Sequence, residues 1–247
     1  MSDLALLQRI ETAAIWAWPP LETRSVHGWL LCWGGPATRR LRSARTLAFA
    51  PGAGVTAAIA EVERYWADRG MPSCFHLADG AQPADLDARL ADRGYALETP
   101  TDVMVADPQA SGPADPAIEL HGRATQAVMN AICDVRWTAE GRAERAAIFA
   151  RIRRPLRFAL AWVDGEPAAA GLCVRDGDLA GIFAMRTQPR FARRGLAGKV
   201  LARLAGWAAG EGATRLYLQV EADNDPAQAV YRRAGFRRIY GYHYRER

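Results

Sequence analysis

Gln188-Pro-Arg-Phe-Ala-Arg-Arg-Gly-Leu-Ala-Gly-Lys199 is the stretch whose reading decides the fold of this chain. It follows a short apolar run, Gly181-Ile-Phe-Ala-Met185, and opens a helical one, Val200-Leu-Ala-Arg-Leu-Ala-Gly-Trp-Ala-Ala209. A strand therefore passes through a glycine-bearing turn into a helix. The first turn of such a helix has backbone N–H groups with no partner inside the helix, and the macrodipole adds partial positive charge there. Gly195, Ala197 and Gly198 put little side-chain bulk around those donors, while Arg193, Arg194 and Lys199 add full charges. An anion's oxygens can come close, and the stretch reads as a pyrophosphate cradle. A plain tight connection between strand and helix would use the same glycines, so a second signal has to choose between the two.

That signal lies further on, in Leu216-Tyr-Leu-Gln-Val-Glu-Ala-Asp-Asn224 followed by Ala227, Tyr231, Gly235 and Phe236. These residues meet the pattern Asn-x-x-Ala-x-x-x-Tyr-x-x-x-Gly-Phe in full. Together with the cradle they resemble the GNAT family, the GCN5-related N-acetyltransferases that use acetyl-CoA. The family's phosphate motif, (Gln/Arg)-x-x-Gly-x-(Gly/Ala), aligns with Ala192-Arg-Arg-Gly195-Leu-Ala197, with Ala192 where the usual first residue would stand. The resemblance covers residues 117–247 and implies an α/β (α+β) GNAT fold with a mixed, splayed central sheet. It implies that the strands ending near Met185 and Glu221 part to admit the pantetheine arm of acetyl-CoA, the co-substrate. Backbone near Met185, Arg186 and Thr187 would hold the arm, and an N–H there would polarise the thioester carbonyl, given a β-bulge to turn it outward. Arg193, Arg194, Gly195, Leu196, Ala197, Gly198 and Lys199 would hold the diphosphate. Asn224 is read as a contact to the CoA arm in preference to a polar residue at a helix start.

Tyr231 is the residue expected to carry the chemistry. A thiol has a pKa of about 8.5 and a phenol one of about 10, so a phenol is protonated at neutral pH and can donate to a departing thiolate. By itself Tyr231 would be an ordinary core tyrosine of an amphipathic helix; Asn224 and Gly235-Phe236 around it favour the functional reading. The general base is less well marked. In protein N-terminal acetyltransferases of the family a glutamate often stands twelve residues before the tyrosine, and here that position is Gln219. Glu221 lies two residues on, on the same strand face, and is the candidate base; Asp178 is a poorer one at the far end of its strand. The departures at Ala192 and Gln219 motivate a rival reading, a non-catalytic CoA-binding sensor or scaffold, and transfer of a different acyl or aminoacyl group is a third.

Composition bounds the rest. The chain has 247 residues, half of them hydrophobic, and a formal charge of +5 in which Lys199 is the sole lysine. Arginine is spread through helices and strands rather than gathered into a stripe with interleaved aromatics, so nucleic acid is not an expected partner. No apolar run is long enough to span a membrane, and the N-terminus has no basic region ahead of an apolar core. Cys32, Cys74, Cys133 and Cys173 are scattered in apolar settings and read as buried free thiols of a cytoplasmic protein, with no metal site expected.

Residues 1–107 repeat the order of the C-terminal part. Helices are expected at 3–17, 55–69 and 83–93, strands at 26–33, 73–77 and 97–107, and Leu86-Asp-Ala-Arg-Leu-Ala-Asp-Arg-Gly94-Tyr95 echoes Ala229-Val-Tyr-Arg-Arg-Ala-Gly235-Phe236. Two ordinary helices ending at glycine would look similar, but the order favours a degenerate, smaller GNAT-like half that has lost the chemistry and helps to shape the acceptor groove. The expected division is 1–107, a proline-rich linker 108–116, and a catalytic GNAT domain 117–247. The expected acceptor is a small-molecule or peptide primary amine, and a homodimer is compatible with this reading.

Overall fold

The computed structural model describes every residue except 1, 2, 37, 51, 53 and 135. Two of these, Pro51 and Ala53, lie just before the helix expected at 55–69 and fall outside the described residues. The first part of the chain forms α1 (Asp3–Ala17), β1 (Glu22–Val26), β2 (Trp29–Trp33), β3 (Arg42–Arg45), α2 (Val55–Ala67), β4 (Cys74–Ala78), α3 (Leu86–Asp92) and β5 (Ala96–Ala106). The second forms β6 (Glu119–His121), α4 (Gln126–Ile132), α5 (Ala139–Arg151), β7 (Leu156–Val163), β8 (Glu166–Asp176) and β9 (Leu179–Thr187). It ends with α6 (Leu196–Gly210), β10 (Arg215–Glu221), α7 (Asp225–Arg233) and β11 (Arg237–Glu246).

Eleven strands make one mixed sheet in the order β1-β2-β3-β4-β11-β5-β10-β9-β8-β7-β6. Strands joined by tight turns pair antiparallel, whereas a parallel pair needs a crossover. The two parallel pairs are accordingly those bridged by helices, β3 with β4 through α2 and β9 with β10 through α6. The order β-β-β-α-β-α-β thus occurs twice, with the last strands of the two runs interleaved. β5 lies between β10 and β11, and β11 lies between β5 and β4. The linker is ordered: Asp107 accepts from the Gln109 amide to start a short 3₁₀ turn at Pro108–Ser111, and Ala110 sits so close to Gly235 that a Cβ there would stand 2.6 Å from its methyl.

One sheet face is covered by α1, α4 and α5 around Trp18, Phe149 and Phe158, the other by α6 with Phe191 and Phe236, and a third cluster joins α2 and α3 to Trp29 and Phe75. The buried carboxylate of Glu11 fixes α1 to the sheet: it accepts from Arg45 at 2.8 Å and from the Tyr240 hydroxyl at 2.7 Å. A buried ion pair of this kind specifies position more than it adds stability. Thr138 caps α5, its hydroxyl accepting from the Gly141 amide at 3.1 Å. The strand expected over 26–33 is instead a hairpin, because His27 and Gly28 both take positive φ, 49° and 92°, and reverse the chain. No helix among the described residues is long and apolar enough to cross a membrane. All four cysteines are buried free thiols.

Candidate active site

The sheet opens between β9 and β10. The two strands pair in parallel from Leu179↔Arg215 to Ile182↔Leu218, after which Phe183–Thr187 and Gln219–Glu221 run on without pairing to each other. β10 keeps its antiparallel partner on the other side as far as Glu221↔Thr101, so β9 is the strand that leaves. Its departure is built into the register with β8. Ala170 faces Arg186 and Leu172 faces Phe183, which leaves Ala184 and Met185 opposite Gly171 alone. This is a β-bulge, with Ala184 at φ 50°, a conformation that costs a non-glycine residue strain. Gly171 permits it: a Cβ there would collide with the Met185 sulfur. The bulge also resets the strand's alternation, so that Phe183 and Ala184 both join the core under α1, α4 and α5 while Met185 joins the core under α6.

The stretch that the sequence reads as a cradle opens α6. Gly195 caps α6 in the left-handed region at φ 75°, and Arg193 before it takes φ 61°. A Cβ added at Gly195 or Gly198 would meet nothing within 4 Å, so the donors of the first helical turn face open space. That space is a cleft of about 860 Å³, walled by Thr187, Arg193 and the residues Gly195, Leu196, Ala197, Gly198 and Lys199 on one side and by Ala229, Val230 and Arg233 of α7 on the other. Ser111 lines it, and its hydroxyl has no hydrogen-bond partner among the described residues. These features fit a bound anion. Two of the expected cations are less free than the sequence suggests: Lys199 pairs with Asp115 at 3.1 Å, and Arg194 stacks on Phe191 outside the cleft wall.

A second cavity, of about 580 Å³, fills the gap between the strands and adjoins the cleft along β9 and α7. Met185, Arg186, Gln219, Glu221, Asn224 and Tyr231 all line it, so the structure brings together the residues that the sequence assigns to the reacting end. Tyr231 is partly buried, its ring 6.0 Å from Phe236, and burial pushes its phenol up to about 12. Its hydroxyl makes no hydrogen bond within the described chain. Asn224 caps α7, its Oδ1 accepting from the Ala227 amide at 3.2 Å, and lines the cavity as well. Glu221 is exposed at the end of β10, with its carbonyl accepting from the Asn224 amide at 3.1 Å. The buried Gln219 Nε2 has no hydrogen-bond partner among the described residues. Asp178 stands at the opposite end of β9, paired with Arg9, and takes no part.

The matching position in the first run of elements is closed. Thr46 follows β3 and donates its hydroxyl to the His76 carbonyl at 2.9 Å, while its own carbonyl accepts from the Gln82 amide. Leu90, four residues before Gly94 as Tyr231 is before Gly235, is fully buried in the cluster under α2 and α3, and Asp87 ties α3 to β11 through His243 and Arg245 at 2.8 and 2.7 Å. Trp18, Arg40, Thr99 and Thr101 from this part of the chain, with Arg145 of α5, form the far wall of the second cavity. Sequence reasoning missed these residues and Gly171. A glycine closing the run Ala168-Ala-Ala-Gly171 was the available hint for the bulge; no local pattern marks the arginines.

Residues 5–245 match a family model described as the probable histone acetyltransferase Rv0428c C-terminal family. An uncharacterized N-acetyltransferase, YobR, from Bacillus subtilis (strain 168) is 26% identical over 267 residues, covering 99% of each chain. Among solved structures, a GCN5-related N-acetyltransferase from Kribbella flavida superposes with a TM-score of 0.70 at 19% identity, covering 96% of this chain and 94% of its own. A tandem GNAT protein from the clavulanic acid biosynthesis pathway gives 0.69 at 17% identity over 96% of this chain and 87% of its own. The chain belongs to the Rv0428c C-terminal acetyltransferase family and has the GNAT fold.

Proposed function

We propose that the protein is an acetyl-CoA-dependent N-acetyltransferase that acetylates a primary amine by direct attack in a ternary complex. The observation that carries this reading is the opening of β9 from β10 at a bulge, with Tyr231 beside the gap and the α6 N-terminus at its mouth. Acetyl-CoA supplies the activated acetyl group as a thioester. The first turn of α6, with Arg193 and the open positions Gly195 and Gly198, binds the diphosphate. The unpaired edge of β9 beyond Ile182 accepts the pantetheine arm as an added strand would be accepted, and the bulge at Ala184 and Met185 offers a backbone N–H to the thioester oxygen. Tyr231, protonated because burial raises its pKa, gives its proton to the leaving sulfur. Glu221, exposed at the rim of the same cavity, takes the proton of the incoming amine through water.

Replacing Tyr231 by Phe tests this. Turnover, followed by thiol release from acetyl-CoA with a panel of amines, is expected to fall by about 10² to 10⁴, the usual worth of a positioned acid, while CoA affinity stays within about twofold. Unchanged turnover removes Tyr231 from the role. The position of Gln219 favours a second reading, a module that binds CoA without catalysis; stabilisation of the wild-type protein by CoA with no thiol release from any amine would select it. We further propose that residues 1–107 are a degenerate copy of the unit at 117–247, supported by the recurring element order and the two helix-bridged parallel pairs, and that the buried free thiols suit a reducing cytoplasm.

A further inference from the structure

The far wall of the cavity in the split sheet is built from arginines without acids. Arg40 lies over Trp18 and Phe183, 5.6 Å from each ring, and Arg145 lies between Trp18 at 4.7 Å and Trp137 at 4.9 Å. Arg186 of β9 lines the same space. None of the three makes a hydrogen bond or an ion pair with a carboxylate among the described residues, although many arginines of the chain do. Arg39, also in the wall, shows the contrast: it is taken up by Glu246, Glu98 and Thr99. Among the described residues that line the cavity, Glu221 is the one carboxylate. Rings on the faces of a guanidinium fix its plane and leave its N–H edge for a ligand, and that edge matches the paired oxygens of a carboxylate or phosphate. Burial, with the neighbouring Arg40 and Arg186, outweighs the opposing pull of Cys133 and Glu144 and brings the pKa of Arg145 down to about 10.

The placement adds a direction. Trp18 and Arg145 belong to the face covered by α1, α4 and α5, whereas the cradle and α6 belong to the other, and the cavity passes between β9 and β10. A molecule with its anion on these arginines and its amine at the gap would meet a thioester coming from the opposite side. The volume, about 580 Å³, suits a small molecule. We propose that the acceptor is a small primary amine that also carries an anionic group, carboxylate or phosphate, held by Arg40, Arg145 and Arg186. This rests on the transferase reading above. In the reaction the amine nitrogen forms the new C–N bond, the C–S bond breaks, the sulfur leaves as the thiol with one proton, and the amine gives up one proton, so that amine and acetyl-CoA yield amide and CoA.

Matched acceptors test it: 5-aminopentanoate against 5-aminopentanamide, and O-phosphoethanolamine against ethanolamine, each with acetyl-CoA and thiol release as the readout. At least one anionic member is expected to exceed its neutral twin in kcat/KM by about tenfold or more, as charge-assisted hydrogen bonds provide; which pair responds identifies the anion. The ratio is expected to fall to about twofold in Arg145→Gln and in Arg40→Gln, and to an intermediate value in Arg145→Lys, which keeps the charge without the fork. Equal rates within both pairs, a ratio unchanged in both glutamine variants, or preference for a lysine peptide over every anionic amine overturns the proposal. A second readout does not need turnover: glutarate and inorganic phosphate are titrated calorimetrically into the protein saturated with CoA. Binding of either, weakened tenfold or more in Arg145→Gln, supports the anion site even where no thiol is released, an outcome that would remove the transferase reading alone. Binding of neither, in a protein that does release thiol, overturns the anion site and leaves the transferase.

Discussion

Tyr231 combines two properties that a lone tyrosine seldom has: a wall position in a cavity and enough burial to push its phenol up to about 12. Raising the pKa of a neutral acid extends the pH range over which it holds its proton. The rate is therefore expected to rise with pH as the amine acceptor loses its proton, with no descending limb from the phenol below about pH 10. A pH profile of kcat that falls between 8 and 9 would assign the departing proton to another group. This residue was legible in the sequence because its neighbours in the motif, Asn224 and Gly235-Phe236, are fixed in number and spacing. Arg145 was not. It is one arginine of many, and what distinguishes it is the pair of indoles around it, brought from α1 and from the loop before α5 by the fold.

At the scale of elements, the N-terminus of α6 offers the cleanest separation of folding from binding. Gly198 has open space where a side chain would go, so Gly198→Asp introduces no clash. A carboxylate in the first turn of a helix is favourable to the helix by about 0.3–1 kcal/mol, yet it places a negative charge in the cleft meant for phosphates. Chemical denaturation is expected to show unchanged or slightly raised stability, and acetyl-CoA binding to weaken tenfold or more. Stability and affinity falling together would mean that the helix start is structural only. The end of strand β10 near Glu221 was readable because its signal, an apolar run closed by polar residues, is local. The bulge in β9 was not, since it depends on Gly171 in the facing strand. The hairpin at His27-Gly28 was missed for a similar reason: histidine is an uncommon turn residue, and the apolar residues on both sides read as one run.

At the scale of the whole molecule, the sheet makes the two runs of elements interdependent. β5 separates β10 from β11, so a fragment of residues 113–247 lacks the strand that holds its last two together. That fragment is expected to show no cooperative unfolding transition by itself and to regain one on co-expression with residues 1–112; an independently folded fragment with native stability would contradict the strand exchange. Sequence reasoning could propose two units but not their interleaving, because nothing within residues 96–106 names a partner more than a hundred residues away. Stability should also depend on pH through His76. Burial and the charge of Arg45 hold its imidazole well below the ordinary value, and Glu11, 3.7 Å away, is engaged by Arg45 and Tyr240. The unfolded chain takes up a proton below about pH 6.5 that the folded chain refuses, so stability is full above that pH and falls below it by up to about 1.4 kcal/mol per unit. Urea midpoints at pH 7.0 and 5.5 should show the loss, and His76→Gln should flatten it; a wild-type midpoint that rises on acidification would contradict the assignment. The most direct test of the whole account is a calorimetric titration of acetyl-CoA into the wild-type protein and into Gly198→Asp. The account predicts saturable binding of one molecule per chain in the wild type and a loss of tenfold or more in the variant. No binding to the wild type, or equal binding to both, would contradict it.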